Sequence, residues 1–504
     1  MIMLSALIGI PLLGAVIIGF CPGITPRSAR WGTLAIATLM FVWTIALASQ
    51  FDLLSSTLQF EEHLSWLDTL GLTYHLGIDG LSSSLLVLNG LLTGIAIYST
   101  TKDIHRPRLY YALMLLLNAA VAGAFLAHDL LLFFLFYELE LLPLYLLINI
   151  WGGARREYAA TKFLIFTSLS GMCLLVSFLG VVGFTGASTF AYDPTLAAML
   201  PLETQMLLLL PILLGFAIKV PLVPFHTWLP DAHVEASTPV SVLLAGVLLK
   251  LGTYGLLRFG VGLFPAAWTT LAPWLAAWAV VSVLFGILAA IAQTDMKKMV
   301  AYSSVGHMGF ILLAAAAATP LSLLGAVVQM VSHGLISGLL FLLVGVVYVK
   351  TGTRSLDTLK GLLNPERGLP VVGSLMVLAV MASAGIPGMA GFVAEFLIFR
   401  GSFAVFPAQT LLCMVGTGLT AVYFLVLLNR AFFGRLSSAV IDLPRVSWSE
   451  RLPAAVLAAI IILLGIQPSW LIGLSEAASA ALEPTTRITD ASLVISQPST
   501  APPL

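Results

Sequence analysis

An all-α transmembrane fold of about fourteen helices is predicted by three features of the sequence. Of 504 residues, 59% are apolar and 9% charged, where a soluble domain carries about 25% charged residues. Apolar runs of about 20 residues, long enough to cross a hydrocarbon core, follow one another along almost the whole chain. The basic residues then sort to one side of those crossings, as they do in membrane proteins. With 23 basic and 23 acidic residues there is no surplus for nucleic acid, so no nucleic-acid partner is expected. Cys21, Cys173 and Cys413 are far apart and show no C-x-x-C spacing, which argues against a disulfide framework, a structural zinc or an iron–sulfur site. The chain is expected to hold no cofactor of its own.

The runs lie near residues 3–20, 31–50, 80–99, 109–127, 130–150, 161–183, 206–226, 237–258, 271–292, 299–318, 321–348, 370–400, 408–429 and 452–474. The first has no N-terminal basic cluster, and Phe20 precedes Cys21, so it reads as a span and not as a cleaved signal. With both ends outside, 18 of the 23 basic residues fall in inner loops, from Arg27 and Arg30 to Arg445 and Arg451. Only Arg258, Arg400 and Arg487 fall outside, and Lys219 and Lys250 lie within spans. The long segment 51–79, with Asp52, Glu61, Glu62, Asp68 and Asp79, fits the outer side. Residues 475–504, rich in Ser, Thr and Pro, read as a polar tail. The domain organisation expected is a three-helix region over 1–108, repeats over 109–260 and 271–434, a last span over 452–474, and the tail.

Five ionisable residues stay inside apolar runs: Glu138 and Glu140 in span five, Lys219 in span seven, Lys250 in span eight and Glu395 in span twelve. A charge at membrane depth costs a few kcal/mol or more and is tolerated where it faces a bundle interior, pairs, or meets water. The plain alternative is snorkelling to an interface. Lys250 has fourteen uncharged residues before it, back to Glu235, and seven after, up to Arg258, which makes that difficult. Glu138 and Glu140 stand about 200° apart on a regular helix, so one should point at a transport path and the other at a neighbouring helix or subunit.

Spans seven and twelve carry built-in breaks. Pro221 and Pro224 follow Lys219, and each lacks a backbone N–H. Ala384-Gly385-Ile386-Pro387-Gly388-Met389-Ala390-Gly391 precedes Glu395. Broken helices at membrane depth line cavities, and transporters pair such breaks across inverted repeats. Lys219 and Glu395, 176 positions apart, suggest two inverted five-helix repeats, spans four to eight and nine to thirteen. Between them Ser303 and His307, Gln329 and His333, and His333 and Ser337 each stand at i, i+4 on one helix face. A lone buried histidine is more often a core residue; two in adjacent spans point to a proton relay, since imidazole exchanges protons near neutral pH.

Directly after Lys219, Phe225-His226-Thr227-Trp228-Leu229-Pro230-Asp231-Ala232-His233 resembles the antiporter-like membrane subunits of respiratory complex I and its photosynthetic relatives, and the resemblance covers most of the chain. In Y-E-L-E-L-L-P-L-Y at 137–145 the family's glutamate lies five before the proline, which maps it to Glu138 and not Glu140. F-A-I-K-V-P at 216–221 and L-L-K-L-G at 248–252 map the lysines to Lys219 and Lys250. A-Y-S-S-V-G-H-M-G-F at 301–310, Q-M-V-S-H-G-L at 329–335 and G-F-V-A-E-F at 391–396 map the remaining path residues to His307, His333 and Glu395. Glutamate at 395, where sister subunits have lysine, resembles the subunit 4 (M or D) type. W-G-G-A-R-R-E-Y-A-A-T-K-F at 151–163 resembles the cyanobacterial form, and A-H-V-E-A-S-T-P-V at 232–240 the variants of carbon-dioxide-uptake complexes.

The resemblance implies a proton-translocating subunit of an NAD(P)H- or ferredoxin-quinone oxidoreductase, with plastoquinone as the quinone and a cyanobacterial thylakoid membrane as its place. Protons would pass from Lys219 opposite Glu138 to Lys250, His307, His333 and Glu395. Quinone, iron–sulfur clusters and electron donor would belong to partner subunits. The partners implied are the neighbouring B/N- and F/L-type antiporter-like subunits, other membrane-arm subunits, the lipid bilayer and, for the uptake variant, a carbon-dioxide-hydrating subunit. A subunit of a sodium/proton antiporter shares much of this pattern and is the alternative. A passive structural subunit fits the buried charges least.

Overall fold

The computed structural model describes residues 3–101, 103–437 and 443–484; Lys102, Arg487 and the expected tail beyond residue 484 lie outside them. The chain opens with α1 (Leu4–Phe20) and α2 (Pro26–Ser49). The outer segment then forms an antiparallel hairpin of β1 (Gln59–Leu67) and β2 (Leu72–Ile78), which the hydropathy pattern did not announce. Its turn closes at Gly71, whose φ of +66° and approach to the backbone of Ser188 exclude a side chain.

Helices α3 (Ser82–Ser99) and α4 (Pro107–Leu126) follow. Span five is α5 (Leu130–Leu139) and α6 (Leu141–Trp151), joined at Glu140, and span six is α7 (Arg156–Thr185). A short α8 (Pro194–Ala198) lies outside. Span seven is α9 (Leu202–Lys219), a break, and α10 (Trp228–Glu235). Span eight contains α11 (Thr238–Leu243), a π-helical turn at Leu244–Leu248, α12 (Leu249–Gly255) and a second π-helical turn at Leu256–Val261. Next come α13 (Pro265–Ile291), α14 (Met296–Ala317) and α15 (Pro320–Thr351). Span twelve is α16 (Pro370–Ser383), a break, and α17 (Ala390–Phe403). The described chain ends with α18 (Pro407–Leu427), α19 (Trp448–Ile466) and α20 (Ser469–Ala481).

Twelve of these helical segments are long and apolar enough to cross a membrane, and α1 with the two-part span twelve completes the fourteen crossings. The C-terminal boundary is a correction. The last span ends at Ile466, and residues 469–481 form a helix whose Leu471, Leu474, Ser475 and Ala478 are buried, where a polar tail was expected from residue 475. Alternating small and apolar residues on one face let α20 dock on α15 and α3.

Span eight is wholly buried and α14 and α15 nearly so, whereas α2, α7, α18 and α19 turn leucine, valine and methionine side chains outward. The buried charges therefore sit on inner helices, shielded from lipid by outer ones. Helix starts are fixed by side-chain caps at Thr25, Asp129, Asp295 and Thr319, each worth about 1 kcal/mol. Loops predicted to share a side meet. On the inner side Arg30 donates to Tyr98 O, Arg354 pairs with Asp295, and Lys350 pairs with Glu450. On the outer side Leu76 bridges Ala127, Asp129 bridges Ala191, and Arg258 pairs with Asp79.

Candidate functional site

Helix α9 stops at Lys219 because Pro221 and Pro224 cannot donate; the Ala217 carbonyl, left without the Pro221 donor, accepts from Leu222 N–H at 2.9 Å, and two indoles satisfy further carbonyls of the break. Trp228 Nε1 donates to Ile218 O at 2.8 Å and Trp278 Nε1 to Val223 O at 2.5 Å. Gly252 on α12 packs against the Lys219 stem, where a Cβ would lie 3.0 Å from Lys219 Cβ. Lys219 Nζ is buried, stands 4.8 Å from the centre of the Tyr137 ring and makes an ion pair with the fully buried Glu140. Tyr137 is held by a 2.7 Å hydrogen bond to Ser170 Oγ, which donates to Gly215 O.

The contact is therefore made by Glu140, which was expected to point elsewhere, while Glu138, the expected partner, stays within electrostatic range of the amine. Glu138 lies against Gly171 of α7, at a spot a Cβ would occupy, and its buried Oε1 has no hydrogen-bond partner among the described residues. The cause is local: Pro143 has no N–H for the Leu139 carbonyl and its ring crowds it, so the helix resets between Leu139 and Leu141. The 200° rule applies to an unbroken helix only.

Lys250 sits between the two π-helical turns of span eight. The first leaves the Ala245 carbonyl within reach, and Lys250 Nζ donates to it at 2.5 Å while meeting His333 Nδ1 at 2.7 Å. His307 comes next, with ring centres 5.5 Å from His333. It meets Ser383 Oγ through Nε2 at 3.1 Å and lies 3.9 Å from Glu395 Oε1 through Nδ1. The order in space is therefore Lys250, His333, His307, Glu395, with the histidines exchanged relative to the expected sequence. A cavity of about 10 Å³ lined by His307, Gln329, His333, Ser383 and Glu395 has room for about one water. Gly385 in the span-twelve break has φ +69°, and a Cβ there would lie 2.7 Å from Glu395 Oε2, so the break presses backbone against the carboxylate.

The hydroxyls expected beside the histidines turn away: Ser303 donates to Val300 O and Ser337 to His333 O. Ser383, not singled out in the sequence, takes their place next to His307. His233 also had no assigned role. It is buried, stacks on Phe341 at 4.4 Å and leaves both ring nitrogens unpartnered among the described residues, within electrostatic range of Lys297 near the inner face and of Lys250. Its position at the end of the F-H-T-W-L-P-D-A-H run was the available signal. An amine, imidazoles and a carboxyl in series, each within one short step of the next, form an arrangement that can pass protons.

Residues 127–420 match the family described as NADH:quinone oxidoreductase/Mrp antiporter, transmembrane. The chain is 42% identical over 480 residues to an NAD(P)H-quinone oxidoreductase chain 4 of Trichormus variabilis, covering 92% of this chain and 88% of that one. It is 43% identical over 439 residues to a chain 4 of a Synechococcus strain, covering 86% and 82%. In structure it is similar to a chain of respiratory complex I from Thermus thermophilus, with TM-score 0.85 and 26% identity over 95% of this chain and 99% of that one. A chain of the Mrp complex from Dietzia shares the fold at TM-score 0.87 and 22% identity, over 97% of this chain and 98% of that one.

Proposed function

The chain belongs to the NADH:quinone oxidoreductase/Mrp antiporter family of membrane proteins, and from that premise we propose that it translocates protons as a subunit 4 type membrane-arm component of a quinone oxidoreductase. The observation that carries the reading is the buried series Lys250, His333, His307, Glu395, with Lys219 and its two nearby carboxylates one helix away. Protons enter from the inner side toward Lys219, pass to Lys250 and along the histidines, and leave past Glu395. Glu138, retained from the family motif, and Glu140, which makes the contact, are alternative partners for Lys219. Burial disfavours an unpaired charge and an opposed charge favours it, so opening and closing the pair loads and unloads the lysine. Moving one charge against 100 mV takes about 2.3 kcal/mol, well within what making and breaking such a pair supplies.

The driving redox chemistry belongs to partner subunits, which hold quinone, iron–sulfur clusters and electron donor. Relatives named NAD(P)H-quinone oxidoreductase chain 4 support a quinone as the electron acceptor of the complex; plastoquinone, a thylakoid membrane, and B/N- and F/L-type neighbours are our extension of that reading from the motif resemblance. A carbon-dioxide-hydrating subunit is the partner that would mark the uptake variant, and copurification tests for it.

The decisive experiment is proton pumping by the whole complex in proteoliposomes with Lys219→Ala. The expected result is loss of pumping with quinone reduction retained in the presence of uncoupler. Unchanged pumping overturns the path. Transport that requires sodium, with and without electron donor, would favour the antiporter alternative.

A further inference from the structure

Outside the series from Lys219 to Glu395, a second file of ionisable groups runs from span eight to the outer surface. Lys250, Tyr254 and Arg258 recur at every fourth residue of span eight, on one face. Tyr254 Oη accepts from Arg258 Nε at 3.3 Å, and Arg258 pairs with Asp79 at the foot of the hairpin. Beside that pair stands His128, in the outer turn between α4 and α5. It is buried, donates through Nδ1 to Leu126 O at 3.1 Å, and leaves Nε2 without a hydrogen-bond partner among the described residues. From there the file continues outward through imidazoles. His75 of β2 has its ring centre 6.0 Å from that of His128, a spacing one water can bridge, and 5.0 Å from that of the exposed His63 of β1. His75 Nε2 meets Glu61 Oε2 at 3.2 Å, with Glu61 exposed to the outer phase.

We propose that His128, His75 and Glu61 form an outer proton outlet that joins the span-eight end of the path to the aqueous phase within the first half of the molecule. The inference rests on the proton-translocating reading and adds to it a second exit, separate from Glu395. Water beside Tyr254 brings the proton from the Lys250 amine while Arg258 stays charged; His128 takes it at Nε2, since its Nδ1–H is held by Leu126 O, and gives it from the same nitrogen through water to His75, and Glu61 or His63 releases it outside; each hop moves one proton and restores the neutral imidazole behind it. The other charged and titratable groups facing His128 are Asp79, Arg258 and Tyr192, and Asp129 beside it is occupied by Thr73 and the start of α5. Burial, with Arg258 adding to it, pushes the His128 imidazole down to about 4, so it rests neutral and carries a proton only in passing. Asp79 is held charged: burial opposes this, but Arg258 outweighs it and brings the carboxyl to about 2. The hairpin thereby does more than cap the outer face; it carries the last two steps of the file.

The test uses the intact complex in proteoliposomes, with proton release to the outer phase followed beside uncoupled quinone reduction. The variants are made in a Glu395→Gln background, which closes the other exit; there His128→Phe is expected to slow the remaining outer release about 100-fold, the contribution of a positioned proton-transfer group, while uncoupled quinone reduction stays normal. Free imidazole added on the outer side should restore release, and imidazole on the inner side should not, a distinction that a merely structural defect would not produce. Normal release in His128→Phe, in a preparation where Lys219→Ala stops pumping, overturns the outlet and leaves the proposed function standing. If His128→Phe fails to assemble, His75→Gln on the solvated hairpin decides: slowed and imidazole-rescued release supports the outlet, and normal release overturns it.

Discussion

Lys219 has one carboxylate against its amine and a second on the near side of a helix break, so which of the two holds it is a question about two side chains. Glu140 makes the contact, is fully buried, and leaves Oε2 without a partner among the described residues; Glu138 rests on Gly171. Removing one member of a buried ion pair strands the other charge, at about 3–5 kcal/mol. Glu140→Gln should therefore lower the thermal stability of the complex and stop pumping as Lys219→Ala does. The double variant Glu140→Gln with Lys219→Met should recover stability without pumping, because it removes both charges together. Pumping assays and melting of the purified complex check both halves. Wild-type stability and pumping in Glu140→Gln alone would return the pairing role to Glu138.

At the scale of elements, function depends on places where helices fail. The breaks in spans seven and twelve were legible because proline and glycine mark them directly: Pro221 and Pro224 after Lys219, Gly385 and Pro387 before Glu395. Three other irregularities were not legible. The reset at Glu140 needs only Pro143, which many membrane helices tolerate as a kink. The π-helical turns flanking Lys250 occur in a run with no proline at all, Leu244–Leu248 and Leu256–Val261. The outer hairpin alternates too weakly to separate it from a loop. The site residues themselves stood out because charge is rare in apolar runs, yet their order did not, since which of two buried histidines meets Lys250 is set by helix packing that no local pattern encodes. Gly385 allows a direct test of a break. An L-residue at its φ of +69° costs about 1–2 kcal/mol, and a Cβ would push on Glu395 Oε2 from 2.7 Å. Gly385→Ala should leave uncoupled quinone reduction intact and reduce the protons moved per electron pair. An unchanged ratio would mean that Glu395 does not depend on the backbone packed against it.

For the whole molecule, the sidedness of the crossings decides which end of every path is entrance and which is exit, and their even number puts both termini on one side. With 18 basic residues on one side and three on the other, the positive-inside rule puts both termini outside. The contacts agree in grouping: Arg30 with Tyr98 at one end, and Asp79 with Arg258 at the other. Grouping alone does not fix direction, but the native cysteines can. Cys21 is exposed in the turn after α1, on the predicted inner face, while Cys173 is half-buried on α7 and Cys413 is buried in α18. A membrane-impermeant maleimide should label Cys21 in vesicles that expose the inner face and not in vesicles of the opposite orientation. Ser56→Cys, placed in the exposed segment before the hairpin, should show the reverse. Because every span alternates, a swapped result at both positions would invert the entire molecule, turning the Glu61 and His63 end of the histidine file into an inlet and the Lys219 side into the exit. Labelling of both cysteines from one side would break the fourteen-span parity itself, since Cys21 and residue 56 are separated by α2 alone.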